Sequence, residues 1–310
     1  MRFSSHLHSY AFSTGLSTWL ARRRPARRVI MFHGVDEVEM PVETFENNLR
    51  WLAAHFNVVP LATMVDGVLQ GRAPDPRGEL VLTFDDGLSN HFNAAYPVLQ
   101  RLKLPATYFV CPELIERQAW IWNQEARERL KSLSPQARHD FGVGVLGRDT
   151  PDVEMLIEHM KHVPIAERQR AERELRAITP GFSPSPLQRR RFDPLTWHEL
   201  EQLDPELITI GSHTLSHPIL PTIDDATLEC ELRDSRRMLE QRLGRTVDLF
   251  CYPNGAQDDR VHAAVARHYR AAVTTQYGLV APSTDAHRMM RIPVTRSLCA
   301  LAWRMHRPTA

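Results

Sequence analysis

Short apolar runs alternate with stretches of helical periodicity along most of this 310-residue chain. Before residue 112, the apolar runs predict strands over Val29–His33, Asn57–Val59, Leu80–Phe84 and Ala106–Val110. Apolar residues at helical spacing predict the intervening helices over Val42–Ala54, Leu61–Leu69 and about 91–102. Such alternation predicts an α/β domain with a largely parallel sheet.

The alternation stops at residue 112 and resumes at residue 195. The stretch between is charged, and its periodicity predicts helices over Asn123–Ser132, Val153–Lys161 and Ile165–Ile178. It is too long for a plain loop in a compact fold, so we interpret 112–194 as a mainly helical insertion. The later strands are predicted over Leu207–Gly211, Val247–Cys251, Ala271–Thr274 and Arg291–Val294, and the later helices over Leu195–Leu203, Asp224–Leu243 and Asp259–His268.

Positive and negative side chains nearly balance, with 38 Lys and Arg against 37 Asp and Glu. Nucleic-acid-binding proteins usually carry a large basic excess, so we expect no nucleic acid as a partner. The four cysteines form no C-x-x-C pair and fit reduced thiols, and residues 3–20 do not resemble a secretory signal. These features predict a cytoplasmic location.

Residues 1–28 are expected to form a basic segment that precedes the main domain over 29–310. The segment ends in five arginines, Arg22, Arg23, Arg24, Arg27 and Arg28. One interpretation is a solvated stretch leading into the first strand. The other is a patch that contacts anionic lipid, with Trp19 and Leu20 entering the membrane interface.

Two adjacent carboxylates follow one predicted strand, because Leu80–Phe84 leads directly into Asp85, Asp86 and Gly87. Ligands of open α/β sheets bind beyond the carboxyl ends of strands, so chemistry is expected there. Neighbouring carboxylates can divide the work, one binding a metal ion and the other moving a proton. For this motif alone, a turn whose aspartates cap the next helix remains an alternative.

Two histidines, His213 and His217, follow the predicted strand Leu207–Gly211. Their spacing predicts both imidazoles on one side of a helical turn, where they could bind one metal ion. Taken alone, they would equally fit two surface histidines. Together with one of the two aspartates they form a set that leaves open positions on zinc or a similar ion, as catalytic sites do.

A third strand, Val247–Cys251, runs into a Pro-Asn-Gly turn whose backbone N–H groups could stabilise an oxyanion. The T-F-D-D-G motif, the H-x-x-x-H-P motif at His213–Pro218 and this turn, in this order, resemble the polysaccharide deacetylases (NodB homology domain, carbohydrate esterase family four). The F-x-Y-P-x-G form with a late Arg291-Ile-Pro resembles a subgroup linked to exopolysaccharide and surface-glycan assembly. The resemblance covers about 29–111 and 195–295. It implies a distorted (β/α) barrel and metal-dependent removal of acetyl groups from N-acetylated sugars.

The resemblance also implies roles for individual residues. The ligands of a divalent metal ion, zinc being the first choice, would be Asp86, His213 and His217. Asp85 would be the general base that deprotonates the attacking water. The backbone N–H of Asn254 would donate to the oxyanion, with Tyr252 beside it. His33, at the end of the first predicted strand, is assigned either to the pocket or to a structural role.

Two positions depart from the pattern of the best-known members. Cys251 stands where many members have an arginine that orients the base, and we find no Leu-x-His motif to supply the catalytic acid. The region that matches this last motif reads Arg291-Ile-Pro-Val. We predict that Arg291 replaces the missing arginine beside Asp85. Two candidates for the acid remain open, His287 and Asp85 itself once protonated.

The resulting hypothesis is a metal-dependent N-deacetylase that acts on an acetamido sugar of a surface polysaccharide or its precursor. In the cytoplasm the substrate would be a lipid-linked or nucleotide-linked sugar, and the arginine cluster would suit a lipid-linked one at the membrane. The alternatives are a carbon–nitrogen hydrolase with a non-sugar amide substrate and a non-catalytic glycan-binding protein on the same fold. Trp120 and Trp122, at the start of the insertion, are either core residues or a platform for a sugar ring.

Overall fold

The computed structural model describes residues 2–23 and 25–306, and within them eight strands form the centre of the molecule. The strands are, in chain order, β1 (Arg27–Phe32), β2 (Asn57–Val58), β3 (Glu79–Phe84), β4 (Ala106–Val110), β5 (Ile208–Ser212), β6 (Leu249–Cys251), β7 (Ala271–Tyr277) and β8 (Met289–Pro293). Each pairing between them is parallel. Their buried, apolar composition is typical of a sheet that is covered on both faces.

Seven strands close into a barrel in the order β1-β8-β7-β6-β5-β4-β3, and β3 pairs again with β1. The short strand β2 pairs only with the start of β3. The barrel is irregular, since β5 and β6 pair only through Ser212 and Phe250 and the pairing of β7 with β8 shifts in register. The predicted distorted (β/α) barrel is therefore confirmed.

Fifteen α-helices surround this barrel within the described residues. Those before β4 are α1 (Arg2–Ser13), α2 (Leu16–Arg22), α3 (Val42–His55), α4 (Leu61–Leu69) and α5 (Tyr96–Leu102). Those between β4 and β5 are α6 (Pro112–Arg117), α7 (Trp122–Ser132), α8 (Pro135–Leu146), α9 (Val153–His162), α10 (Ile165–Ile178), α11 (Pro186–Phe192) and α12 (Trp197–Glu201). The last three are α13 (Asp225–Leu243), α14 (Asp259–His268) and α15 (Leu298–His306). Among these described helices, none is long and apolar enough to cross a membrane.

Helix α13 shows how directly local sequence sets a boundary. Asp224 accepts the backbone N–H of Thr227 at 2.7 Å and so caps the first turn. Gly244 ends the helix in the left-handed conformation, with φ of 64°. The predicted and observed ends therefore agree to within one residue.

The helices between β4 and β5 pack around an apolar cluster of their own. Leu130 of α7, Leu156 and Met160 of α9 and Leu175 of α10 are buried in it. Ile219, from the loop after β5, belongs to the same cluster. The helical segment is thus packed against the barrel rather than standing apart from it.

The N-terminal segment differs from the expected division at residue 28, because β1 already begins at Arg27. Arg27 and Arg28 are both buried. Arg27 Nε donates to Glu79 Oε2 at 2.9 Å, and Arg28 Nε donates to the carbonyl oxygen of Met305 at 2.6 Å. The expectation that these two arginines are solvated or contact lipid is therefore wrong, since each is held inside the fold.

The rest of the arginine cluster lies at the C-terminal end of α2. Arg22 and Arg23 are exposed, and Arg24 lies outside the described residues. The guanidinium of Arg23 lies 4.1 Å from the ring centroid of Trp19, which is itself exposed. These two arginines thus remain available at the surface.

Candidate active site

A cavity of about 140 Å³ lies at the carboxyl ends of the barrel strands. Parallel strands in a closed barrel bring their carboxyl ends together, so motifs that are far apart in sequence meet there. The lining residues are His33, Asp85, Asp86, Asn123, Gln124, Arg127, His213, His217, Asn254 and Thr275. Most of the residues predicted for the site, including His33 and Asn254, therefore share one cavity.

The turn after β3 brings both aspartates to this cavity. Asp86 and Gly87 have left-handed φ values of 77° and 62°. A Cβ at Gly87 would lie 3.0 Å from the side chain of Val110, so only glycine fits this turn without strain. The backbone N–H of Asp85 donates to the carbonyl oxygen of Phe32 at 3.0 Å, which ties the turn to β1.

Asp86 meets both histidines through one oxygen. Its Oδ1 lies 3.6 Å from Nε2 of His213 and 3.6 Å from Nε2 of His217. The prediction of a helical turn is wrong, because the histidines belong to a loop in which Thr214 and His217 have left-handed φ values of 68° and 62°. Thr214 Oγ1 accepts the backbone N–H of His217 at 2.9 Å and stabilises this loop.

A carboxylate from α13 holds the same loop from outside. Glu231 Oε2 accepts the backbone N–H groups of Leu215 and Ser216 at 2.8 and 2.9 Å, and Ser216 Oγ donates to its Oε1 at 2.6 Å. Burial raises the pKa of Glu231 in spite of these bonds. Sequence reasoning missed this residue, since nothing local links position 231 to the loop at 215.

The donor set fits a divalent metal ion. His213 Nδ1 lies 2.7 Å from the carbonyl oxygen of Cys251, which can only accept, so Nδ1 carries the proton in the neutral ring and Nε2, which faces Asp86, is the nitrogen left to bind an ion. His217 Nδ1 is buried and has no partner among the described residues. Burial lowers the pKa of His217 to about 3, so its ring is neutral, as a ligand must be. The hydrogen bond to Asp86 helps to raise the pKa of His213, so binding an ion at its Nε2 would displace a proton. Three ligands within 4.8 Å of one another suit an open zinc site.

A second trio, Asp85, His213 and Cys251, also lies within 4.8 Å. Its donors are already engaged, because both oxygens of Asp85 accept from Arg291 and Nδ1 of His213 donates to the Cys251 carbonyl. Burial raises the pKa of the Cys251 thiol and disfavours the thiolate that a metal needs. The set that contains Asp86 is therefore the better metal site.

Arg291 and Asp85 form a buried, bidentate ion pair. Nη1 and Nη2 of Arg291 each donate to one oxygen of Asp85 at 2.7 Å, and Nε donates to the carbonyl oxygen of Thr274 at 2.7 Å. Burial alone would raise the pKa of Asp85, but the charge of Arg291 outweighs it and the pKa is lowered. Nη2 also lies 3.2 Å from Cys251 Sγ, so Arg291 occupies the neighbourhood that the sequence predicts for it.

His287 and the Tyr252 side chain lie away from the cavity. His287 Nε2 is bonded to the carbonyl oxygen of Tyr269 at 2.8 Å, and the buried Tyr252 donates its hydroxyl to the His287 carbonyl at 3.0 Å. His287 precedes β8, whereas the cavity lies at the carboxyl ends of the strands. We therefore set aside the expectation that His287 is the acid and that the Tyr252 side chain contacts substrate.

The two tryptophans are structural. Trp122 is buried in the cluster of the insertion, with the guanidinium of Arg168 4.5 Å from its ring centroid. Trp120 donates its indole N–H to Asp193 at 2.7 Å. Neither lines the cavity, so the core interpretation is favoured over the sugar platform.

The insertion supplies cavity residues that sequence reasoning missed. Asn123, Gln124 and Arg127 line the cavity from α7, and Gln124 Nε2 donates to Asp86 Oδ2 at 3.2 Å. Asn123 Oδ1 and Gln124 Oε1 are buried without a partner among the described residues. The available signal was a polar pair directly after apolar Ile121 and Trp122 at the start of a predicted helix.

Comparison with known proteins identifies the family of this chain. The sequence profile of the polysaccharide deacetylase family matches residues 72–273. The Bacillus subtilis protein YxkH, whose name assigns it provisionally to the polysaccharide deacetylases, is 20% identical over 295 residues, which cover 93% of this chain and 78% of YxkH.

Two solved structures share the fold. The Streptococcus pyogenes deacetylase PplD, solved in complex with acetate, has a TM-score of 0.59 at 17% identity, covering 87% of this chain and 93% of PplD. IcaB from Ammonifex degensii has a TM-score of 0.60 at 16% identity, covering 92% of this chain and 98% of IcaB. Since the family profile matches more than half of the chain, this protein belongs to the polysaccharide deacetylase family.

Proposed function

We propose that this protein is a metal-dependent N-deacetylase that acts on an acetamido sugar of a surface polysaccharide or its lipid-linked or nucleotide-linked precursor. The reaction cleaves the amide C–N bond with water, releases acetate and leaves a free amine on the sugar. The observation that carries this proposal is that Asp86, His213 and His217 face the same cavity as the ion-paired carboxylate of Asp85. A metal site beside a buried base can activate both the attacking water and the amide carbonyl for hydrolysis.

Asp86, His213 and His217 would hold the ion, which when bound polarises the amide carbonyl and lowers the pKa of the attacking water. Asp85 takes the proton from that water, using lone pairs that it does not share with Arg291. We assign the second proton transfer, to the departing sugar amine, to the same carboxyl group, since His287 lies outside the cavity. The backbone N–H of Asn254 is assigned to the oxyanion.

The α7 side of the cavity favours a sugar over a non-sugar amide. The buried oxygens Asn123 Oδ1 and Gln124 Oε1 are acceptors without partners among the described residues. Buried acceptors of this kind are normally satisfied, and sugar hydroxyl groups are suitable donors. A plain aliphatic amide would leave both unpaired.

Metal removal tests the proposal directly. Acetate release from a panel of acetamido sugars is measured on purified protein, after chelation and after reloading with Zn²⁺. We expect chelation to lower turnover at least about 100-fold, because the ion supplies several kcal/mol of charge stabilisation. Zn²⁺ should restore turnover, whereas Mg²⁺, which prefers oxygen ligands, serves as the control that should not.

Other outcomes would point to the alternatives. Hydrolysis of formyl or aliphatic amides without any acetate release from sugars would favour the non-sugar hydrolase. Glycan binding with neither hydrolysis nor metal uptake would overturn the enzymatic proposal and favour a binding protein.

Helices α1 and α2 expose apolar side chains that suit an anionic membrane surface carrying a lipid-linked substrate. These side chains, between 42% and 66% exposed, are Leu7, Tyr10, Leu16 and Trp19. Leu7 and Tyr10 in α1 are three residues apart, as are Leu16 and Trp19 in α2, so the two members of each pair lie side by side on their helix. Arg22 and Arg23 stand at the C-terminal end of α2. Exposed aromatic rings next to basic residues are typical of helices that lie in a membrane interface.

Trp19→Ala is expected to weaken binding to phosphatidylglycerol vesicles about tenfold, because the lost burial is worth about 1.5 kcal/mol. Co-sedimentation measures this, with phosphatidylcholine vesicles as the neutral comparison. Met155→Ala removes an apolar side chain of α9 that is even more exposed, 62% against 48% for Trp19, and should leave binding unchanged. Wild-type protein that stays in the supernatant with anionic vesicles would contradict membrane contact.

A further inference from the structure

A second group of metal-ligating side chains lies on the surface, where α14 meets the segment that joins β7 to β8. It consists of His262, Asp285 and His287, whose ligand atoms lie within 4.8 Å of one another. None of the three lines the cavity of the candidate active site. The group therefore needs an explanation separate from deacetylation.

Asp285 connects the two histidines. Its Oδ2 lies 2.8 Å from His262 Nε2, and its Oδ1 lies 3.7 Å from His287 Nδ1. Oδ1 also accepts the backbone N–H of His287 at 2.8 Å, which fixes the carboxylate relative to the second ring. One imidazole thus lies on each side of a positioned carboxylate.

His287 has a defined tautomer. Its Nε2 lies 2.8 Å from the carbonyl oxygen of Tyr269, which can only accept, so Nε2 carries the proton in the neutral ring. Nδ1 therefore presents its lone pair on the side of Asp285. The Tyr252 hydroxyl donates to the His287 carbonyl at 3.0 Å and anchors the backbone. A carbonyl that holds the far nitrogen of a histidine is the usual support of a metal ligand, and His213 has the same support from Cys251.

The distances suit a small metal ion. Metal–ligand bonds of about 2.0–2.1 Å in a tetrahedron place ligand atoms about 3.3 Å apart. The two imidazole nitrogens lie 2.8 and 3.7 Å from different oxygens of Asp285, and one ligand atom from each of the three residues lies within 4.8 Å of the others, so side-chain rotations that bring them closer would complete the site. The side chains are 23%, 44% and 19% exposed for His262, Asp285 and His287, which leaves room for water to complete the coordination.

The guanidinium of Arg288, which follows His287 in the chain, is bonded to other residues. Arg288 Nη2 donates to Asp259 at 2.7 Å, and its Nε donates to Gln257 at 3.0 Å. A simple ion pair between His262 and Asp285 explains the 2.8 Å contact. It does not explain why a second imidazole, that of His287, turns its Nδ1 towards the same carboxylate.

We propose that His262, Asp285 and His287 form a second binding site for a divalent transition-metal ion of the Zn²⁺ type. Two imidazoles and one carboxylate select such ions over Mg²⁺ and Ca²⁺. The bound ion ties α14 to the segment that leads into β8, the strand that carries Arg291. The site stabilises the fold and is independent of the proposed deacetylase activity.

Metal stoichiometry tests this inference. Metal-free protein is titrated with Zn²⁺ by calorimetry and with Co²⁺ by visible absorption. Wild type is expected to bind about two equivalents, and His262→Gln about one, with affinity at the altered site lowered at least about 100-fold. Asp285→Asn should give the same loss while keeping an acceptor for the backbone N–H of His287. Both variants should retain acetate release.

Two further variants separate this site from the active site. The Asp86→Asn variant should still bind one equivalent of Zn²⁺ at the surface site, and this ion should raise its unfolding temperature. In the double variant Asp86→Asn/His262→Gln, Zn²⁺ should no longer raise the unfolding temperature. His139→Gln is the matched control, because His139 lies 2.7 Å from Asp149 Oδ1 but belongs to no trio of metal-ligating side chains among the described residues. Equal stoichiometry for wild type and His262→Gln would overturn the inference. Loss of the only bound equivalent in Asp86→Asn would also overturn it, and would leave the proposed function standing.

Discussion

Asp85→Asn is expected to lower kcat for acetate release about 1,000-fold, because this carboxylate is assigned both proton transfers of the reaction. Asn has nearly the same shape but cannot take a proton from water. KM should change little, since Asp86, His213 and His217 remain in place. Steady-state kinetics, with the folded fraction checked by circular dichroism, measures the effect.

The control for this prediction is Asp224→Asn, which makes the same chemical change at a helix cap outside the cavity. Asparagine caps helices as well as aspartate, so kinetics and stability should stay near wild type. A kcat of Asp85→Asn within a few-fold of wild type would show that another group moves the proton.

Arg291→Ala is expected to reduce the free energy of unfolding by about 3–5 kcal/mol, because it leaves the charge of Asp85 buried and unpaired. Asp85 and Arg291 are both buried, and the guanidinium also satisfies the carbonyl of Thr274. Urea unfolding at pH 7 measures the loss. The double variant Asp85→Asn/Arg291→Met should lose less than the two single variants combined, because neither charge is then stranded.

The same pair sets a pH dependence whose sign follows from the lowered pKa of Asp85. Its stabilisation is present above the unfolded-state pKa of about 3.9 and is lost as pH falls through the lower folded-state value. The stability gap between wild type and Arg291→Ala should therefore narrow in acid. Without Arg291, burial raises the pKa of Asp85, so the acidic limb of kcat/KM moves to higher pH. In Arg291→Lys the acidic limb should lie between those of wild type and Arg291→Ala, because lysine keeps the positive charge but not the bidentate geometry.

An Arg291→Ala variant that unfolds at the wild-type urea concentration and keeps the wild-type pH profile would show that the Arg291–Asp85 ion pair neither stabilises the fold nor sets the pKa of Asp85. Loss of stability with an unchanged pH profile would leave Arg291 a structural residue and remove it from the catalytic proposal.

The sequence by itself determined the elements and the motifs. Apolar runs and helical spacing are local properties, so strands such as Leu80–Phe84 and the helix ending before Gly244 could be predicted closely. The carboxyl ends of parallel strands share one end of a barrel, so the convergence of Asp86 with His213 and His217 followed from their places after two strands. The family resemblance supplied the chemistry, and it pointed to Arg291 once Cys251 was seen to lack the usual charge.

Only the tertiary structure decided which distant groups meet. It buried Arg27 and Arg28, because partners such as Glu79 and the Met305 carbonyl lie far away in sequence. It placed Gln124 of the insertion within hydrogen-bond distance of Asp86, and it placed His287 outside the cavity. Periodicity and motif spacing report the environment of a residue along its own segment, whereas barrel closure and the packing of the insertion fix contacts between segments. The charge state and partners of each site residue depend on those contacts.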